Sequence, residues 1–450
     1  MSSQPPSPPE ALIEGVREHI GQADAVWRSG DVSRLPEGLK ACDEALAKVH
    51  STVVKTGPDE PAVLPAAMAG LTRQVWLQRG HLLDAMASVK GDPKILVEAL
   101  KSYDQAIELG RQMPAEIGVL AVTWMSRGKA LERLGSPEAL TESVRCYDEA
   151  ITLLGGLPPD ASVELRNMLG AAWMSRAGGQ QRRGELTGPN GAAQAFEEAI
   201  ACLEACGPEH PMVRRNLASA WTNLGLLRQG AGDAVGSVGA QEKALAAVSP
   251  LYAAEPGALG QERATILLNL GQAQCAAHQT QAGLANLREA ITGALARAEN
   301  DPGSADTVLR ARHALAVTLG AQLAAGSPGD PARAALLEEA GDAVEDGLAL
   351  LNGWGERAAW FSAIGTRLFE FGAWFYRTQQ LRFLGEFLLE HLGEDAERAR
   401  IAAGAVAAAR EMLTQRNFND TSHGDMGRVL DILQDLGAVE ARLKARNATA

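Results

Sequence analysis

The sequence predicts an all-α chain, a right-handed solenoid of about nine antiparallel helix pairs, and three observations predict it. Five of the eight tryptophans recur as Trp27, Trp76, Trp124, Trp173 and Trp221, at intervals of 49, 48, 49 and 48 residues. Proline or glycine interrupts the chain within that same frame. No segment alternates apolar and polar residues with the period of two that a half-buried strand requires. A period of this length marks one copied supersecondary unit, and stacked copies bury a continuous core that a single copy cannot.

Helix A of each unit carries the tryptophan. WLQRG starts at Trp76, WMSRG at Trp124, WMSRAG at Trp173 and WTNLG at Trp221. LLNLG from Leu267, AVTLG from Ala316 and FSAIG from Phe361 keep the glycine while the tryptophan is replaced, so the frame reaches at least eight units. The bulky residue and the small one four further on share a helix face. The expectation is that Trp, Leu or Phe fills the space that glycine opens between neighbouring helices.

Helix B carries a second motif: CDEAL at Cys42, YDQAI at Tyr103, YDEAI at Tyr147, FEEAI at Phe196, QEKAL at Gln241, LREAI at Leu287 and LLEEA at Leu336. Between the two helices the turn is written GDP at Gly91, GSP at Gly135, GPNG at Gly188, GAGD at Gly230 and GSPGDP at Gly326. Between units stand Pro58, Pro61 and Pro65, then Pro114, Pro158 and Pro159, Pro208 and Pro211, Pro250 and Pro256, Pro302, and finally Gly353 and Gly355. Proline fits the first turn of a helix and not its interior, so helices are expected to end before these points and restart after them.

Composition narrows the class. With 46% hydrophobic residues the chain is too apolar for disorder, and a formal charge of −13 without a dense Lys/Arg cluster excludes a wrap on nucleic acid. No window approaches a membrane span; the most apolar stretch, Trp360–Leu392, is broken by Glu370, Arg377, Arg382, Glu386 and Glu390. The opening MSSQPPSPPE lacks the pattern of a secretion signal, and five cysteines in largely helical contexts suit a reducing compartment, so the expected location is the cytoplasm. The expected organisation is a disordered leader over residues 1–8, a repeat array over 9–392, and a capping helix pair with a short tail over 393–450.

The in-register motifs over roughly residues 10–392 resemble the tetratricopeptide repeats, whose helix A reads W-x-x-L-G and whose helix B carries an alanine and an aromatic. The units here run to about 45 to 49 residues against about 34 in that family, which makes them similar to the long repeats of the kinesin light chain branch. The resemblance implies a superhelix whose helix A faces line a concave groove for a peptide or a partner helix, with no catalytic residue, no metal and no cofactor. It also implies that an asparagine two places after the tryptophan position grips the backbone of a bound peptide; Asn223 in WTNLG and Asn269 in LLNLG hold that place. An amide suits the task because it offers both a donor and an acceptor.

Two further features are candidate contacts. Arg263, Arg312 and Arg357 each stand four residues before the motif's first position, in three consecutive units. Such a column can read acidic groups on a ligand or pair with the acidic helix B beside it. The second feature is a block holding six of the eight phenylalanines, in which Phe361, Ile364, Leu368, Phe371 and Phe375 make one helical face while Phe369, Trp374 and Tyr376 point elsewhere. Those three form either an interface or a core closed by the alanine-rich final pair.

Other motifs reduce to structure. Gly230-Ala-Gly-Asp-Ala-Val-Gly236 matches a loose dinucleotide pattern but follows a helix and not a strand. Cys202 and Cys206 lack the further Cys or His of a zinc finger, and no HExxH, nucleophile elbow or phosphate-loop lysine occurs. The expected function is a non-enzymatic scaffold or adaptor that holds a protein or peptide. The alternative is a structural assembly protein that forms a homo-oligomer, or docks on a filament or membrane complex, through the aromatic block.

Overall fold

The computed structural model describes residues 10–51, 66–113, 116–158, 160–188, 190–207, 209–326 and 331–362, with 407, 437 and 441 as single positions. These form fourteen α-helices and one short 3-10 turn, and no strand occurs among the described residues. The chain divides into two compact units at Leu227/Arg228.

Unit 1 contains α1 (Glu10–Ser29), α2 (Leu35–His50), α3 (Ala66–Lys90), α4 (Pro93–Arg111), α5 (Ile117–Leu134), α6 (Pro137–Gly155), α7 (Val163–Arg182) and α8 (Ala192–Glu204), and most of α9 (Pro211–Gly230). From α1 to α8 each helix packs on the next, and α1, α3, α5 and α7 pack in succession on one another. This is the layering of stacked helix pairs, with the odd-numbered helices as helix A.

Local chemistry sets the boundaries. Lys90 is followed by Gly91 at φ +63°, then by Asp92, whose side chain accepts from the Lys94 N–H at 2.9 Å, and by Pro93 in the first turn of α4. The next pair repeats the device with Gly135 at φ +70°, Ser136 accepting from Ala139 at 3.1 Å, and Pro137. A left-handed glycine stops one helix, and a capped proline starts the next.

Unit 2 contains α10 (Ala234–Ala254), α11 (Pro256–Ala276), α12 (Thr280–Ala298), α13 (Pro302–Ala325) and α14 (Arg333–Ser362), again packed in chain order with α11 also against α13. Its core includes Leu267, Leu268, Leu284 and Leu287, all nearly or fully buried.

Two expected breaks are absent. Pro250 sits inside α10, which continues to Ala254 before Pro256 opens α11. One missing N–H this close to the helix end removes a single ladder bond, which the final turn tolerates. Likewise α14 runs through Gly353 and Gly355 to Ser362. Glycine retains its N–H and disfavours a helix by only about 1 kcal/mol, so the α14 backbone ladder continues through both positions. Phe361 and Arg357 therefore lie on the helix B that follows α13, and not on a new helix A.

Candidate functional site

The repeat glycines do not receive the tryptophans. A Cβ on Gly80 would lie 2.5 Å from Cε1 of Tyr103, and one on Gly128 would lie 2.7 Å from Cε1 of Tyr147. The gap faces the helix B of the same pair, whose aromatic ring enters it and becomes fully buried. The tryptophans stay nearer the surface, and Trp27 keeps 40% of its exposure.

That placement gives three of the tryptophans a cation. Arg79, Arg127 and Arg176 stand three residues after Trp76, Trp124 and Trp173, with their guanidinium carbons 5.8, 5.9 and 5.5 Å from the indole centroids. Each also reaches back to the helix B of the preceding pair: Arg79 to Asp43 at 3.0 Å, Arg127 to Asp104 at 2.7 Å, Arg176 to Asp148 at 2.6 Å. Those aspartates are the second residue of CDEAL, YDQAI and YDEAI. Arg79 additionally donates to Ser102 Oγ at 3.0 Å, and Arg127 to Glu142 at 3.2 Å and Cys146 Sγ at 3.1 Å, on the helix B of their own pairs. The result is a ladder in which Arg79 and Arg127 each tie three helices together and Arg176 ties two. Its signal was present in the sequence as an arginine repeating 48 and 49 residues apart, matched by the aspartate of the second motif.

A second row runs along the far ends of the A helices. Asp84 meets Arg133 at 2.7 Å, and Glu132 meets Arg182 at 3.2 Å while accepting from the Tyr147 hydroxyl at 2.9 Å. Burial raises both carboxyls, with the neighbouring cations opposing it. Nearby, His81 stacks on Trp27 at 5.2 Å and meets Tyr103 edge-on at 5.8 Å, with Nε2 3.1 Å from Ser126 Oγ. Burial, followed by the charge of Lys129, pulls its pKa down to about 4, so the ring is neutral at pH 7.

The candidates named from the sequence occupy several settings. Asn223 is exposed on α9, whereas Asn269 on α11 is 1% exposed and its Oδ1 has no hydrogen-bond partner among the described residues. Arg263 binds Glu289 of α12 at 2.6 Å and lies over the Tyr252 ring at 4.9 Å. Arg312 pairs with Asp346 of α14. The side chain of Arg357, together with Phe369, Trp374 and Tyr376, lies outside the described residues. Among the described residues no cluster of His, Cys, Asp and Glu is placed to hold a metal ion, and no helix is long and apolar enough to cross a membrane.

These features define a chain of stacked helix pairs with a tetratricopeptide-like fold. Among solved structures the chain is similar to BtubC (BKLC) from P. vanneervenii, at 16% identity over 62% of this chain and 91% of that one, with a TM-score of 0.42. It is also similar to the TPR-like repeats of a putative kinesin light chain from Podosopora anserina, at 16% identity over 48% and 94% with a TM-score of 0.36. A third is the apo form of RapI, at 10% identity over 88% and 98% with a TM-score of 0.45. No family model matches the chain, and no curated relative does.

Proposed function

We propose that the protein is a non-enzymatic scaffold or adaptor of the cytoplasm that binds a peptide or a partner helix on its helix-pair surfaces. The observation that supports this reading is the recurrence of one Trp–Arg–Asp cluster in three consecutive pairs of unit 1, each with its aspartate about half exposed. A ligand running along such a surface meets the same aromatic face and the same ion pair at each step, which is how stacked repeats recognise extended partners. Asn223 is a proposed backbone contact in unit 1. In unit 2, Arg263 and Arg312 are proposed contacts that exchange Glu289 and Asp346 for carboxylates of the partner. Phe369, Trp374 and Tyr376 are proposed as a second surface, for self-association.

Affinity selection from a random peptide library on the full chain tests the reading, followed by titration of the best sequences. Peptides binding tighter than about 100 μM are expected, with Asn223→Ala weakening them by about tenfold at unchanged melting temperature. Recovery of no such peptide overturns the proposal. Light scattering with Trp374→Ser/Tyr376→Ser separates the second surface from a core: a lost oligomer at unchanged stability marks an interface, and a loss of stability at unchanged mass marks a core.

A further inference from the structure

The α7/α8 pair departs from its neighbours at three places, and all three meet at one pocket. The first is the turn. Two residues join α3 to α4 and α5 to α6, whereas residues 183–191 join α7 to α8. That longer segment folds back on itself: Ala192 N donates to Glu185 O at 2.9 Å, Gly191 N to Gly188 O at 3.0 Å and Asn190 N to Gln194 Oε1 at 2.8 Å. Gly184 and Gly188 turn the chain at φ +78° and +89°.

The second departure is on helix A. Seven residues after Trp76 and Trp124 stand Leu83 and Leu131, both buried in the core, while the same place after Trp173 holds Gln180. Gln180 is 2% exposed, and its Oε1 has no hydrogen-bond partner among the described residues. A buried amide oxygen left without a donor is costly, so a polar residue at a leucine position needs a reason.

The third departure is on helix B. Arg79 and Arg127 find Ser102 and Cys146 on their own pairs, each directly before the buried tyrosine. The residue before Phe196 is Ala195, which carries no polar atom in its side chain. Arg176 therefore keeps its tie to Asp148 but has no helix B partner of its own among the described residues.

An open pocket of about 770 Å³ lies where these differences converge, lined by Gln180, Arg176, Asp148, Arg145, Arg183 and Glu185 among others. The three guanidinium groups against two carboxylates leave one net positive charge, in a chain whose formal charge is −13. Arg145 is 71% exposed, and its contact with Glu142 at 3.4 Å is long. Such a surface pair is weak and leaves the guanidinium open to a ligand.

We propose that this pocket seats one acidic residue of a bound peptide, with its carboxylate on Arg145 and Arg176 and a backbone N–H of the peptide on Gln180 Oε1. The inference rests on the peptide-binding reading above and adds a position and a chemistry to it. One net positive charge matches a single carboxylate; a dianionic phosphate would leave an excess negative charge beside Asp148 and Glu185.

The test is affinity selection on the full chain from a random heptapeptide library acetylated and amidated at its ends, so that no terminal charge competes. Wild type is expected to enrich Asp or Glu about fivefold or more at one position. Arg145→Glu, an exposed substitution whose melting temperature should match wild type, is expected to abolish or reverse that preference while still recovering peptides. Gln180→Leu restores the neighbours' leucine and should weaken the best acidic peptide by about tenfold. Glu→Gln in that peptide should do the same, and phosphoserine in its place should bind no tighter. Peptides recovered without an acidic position, an acid preference unchanged in Arg145→Glu, or tighter binding of phosphoserine would overturn the pocket and leave peptide binding standing. Recovery of no peptide overturns both.

Discussion

Units 1 and 2 use the same repeat frame and the same cation to different ends. In unit 1 the arginine stands three residues after the tryptophan and pairs with the helix B of the preceding pair. In unit 2 that place holds Leu270 and Leu319, and the arginine appears seven residues earlier as Arg263 and Arg312. Seven residues are two helical turns, so the cation stays on the same side of its helix but reaches the helix B of its own pair, Glu289 or Asp346. The pairs of Arg79, Arg127 and Arg176 with Asp43, Asp104 and Asp148 therefore join one helix pair to the next, whereas those of Arg263 and Arg312 close a pair on itself and leave the link between pairs in unit 2 to Arg288 and Glu339. A shift of two turns along one helix decides whether charge couples repeats or completes them.

Acid should break the comparison most. The depressed pKa of His81, about 4 against 6.5 in the unfolded chain, means that the unfolded state takes up the proton first. Its stabilising effect is complete above pH 6.5 and is lost as pH falls from there toward 4, a difference of roughly 3 kcal/mol. The corresponding places in unit 2 are Gln272 and Ala321, which do not titrate. Denaturant unfolding followed by tryptophan fluorescence reports mainly on unit 1, which holds five of the eight tryptophans. His81→Gln should remove most of the loss between pH 6.5 and 4.5; an identical pH profile in the variant would show that the ring is not buried as described.

Next in size is the close approach of helix B to the repeat glycine. Gly128→Ala should destabilise unit 1 by about 2 kcal/mol, because the buried Tyr147 ring 2.7 Å from the new methyl has no room to move. Gly178→Ala, in the interior of α7 with nothing within 4 Å of its Cβ, should stabilise by about 0.5 to 1 kcal/mol. Thermal melts of the two variants check the contrast, and equal shifts would refute the packing argument.

The smallest effect is the one that sharpens the comparison itself. Replacing Arg79, Arg127 and Arg176 together by Gln should lower stability by only about 1 kcal/mol per pair, since each aspartate stays about half exposed and solvent screens it, but should broaden the unfolding transition. Arg263→Gln with Arg312→Gln should shift the midpoint without broadening it, since those pairs lie inside one repeat. Equal broadening in both variants would remove the distinction between the units.

The helices and their order were legible in the sequence because they depend on local chemistry. Proline in a first turn, a left-handed glycine, a capping Asp or Ser and a pattern recurring every 48 or 49 residues act within a few positions, and the fourteen helices follow them. The two breaks misplaced, at Pro250 and at Gly353, are those where the local penalty is small: a proline in the last turns of its helix, and a glycine that keeps its N–H. Tertiary structure alone decided which neighbour each side chain meets. The spacing of Trp76 and Gly80 places them on one face but does not say that Tyr103 fills the gap, or that Asn223 is exposed while Asn269 at the same register is buried. The meaning of Gln180 is of the same kind: as a letter it is an ordinary helical residue. It becomes an unpartnered acceptor in a pocket only once α6, α7 and the segment before α8 are brought together, because burial and hydrogen-bond satisfaction are properties of surroundings and not of sequence.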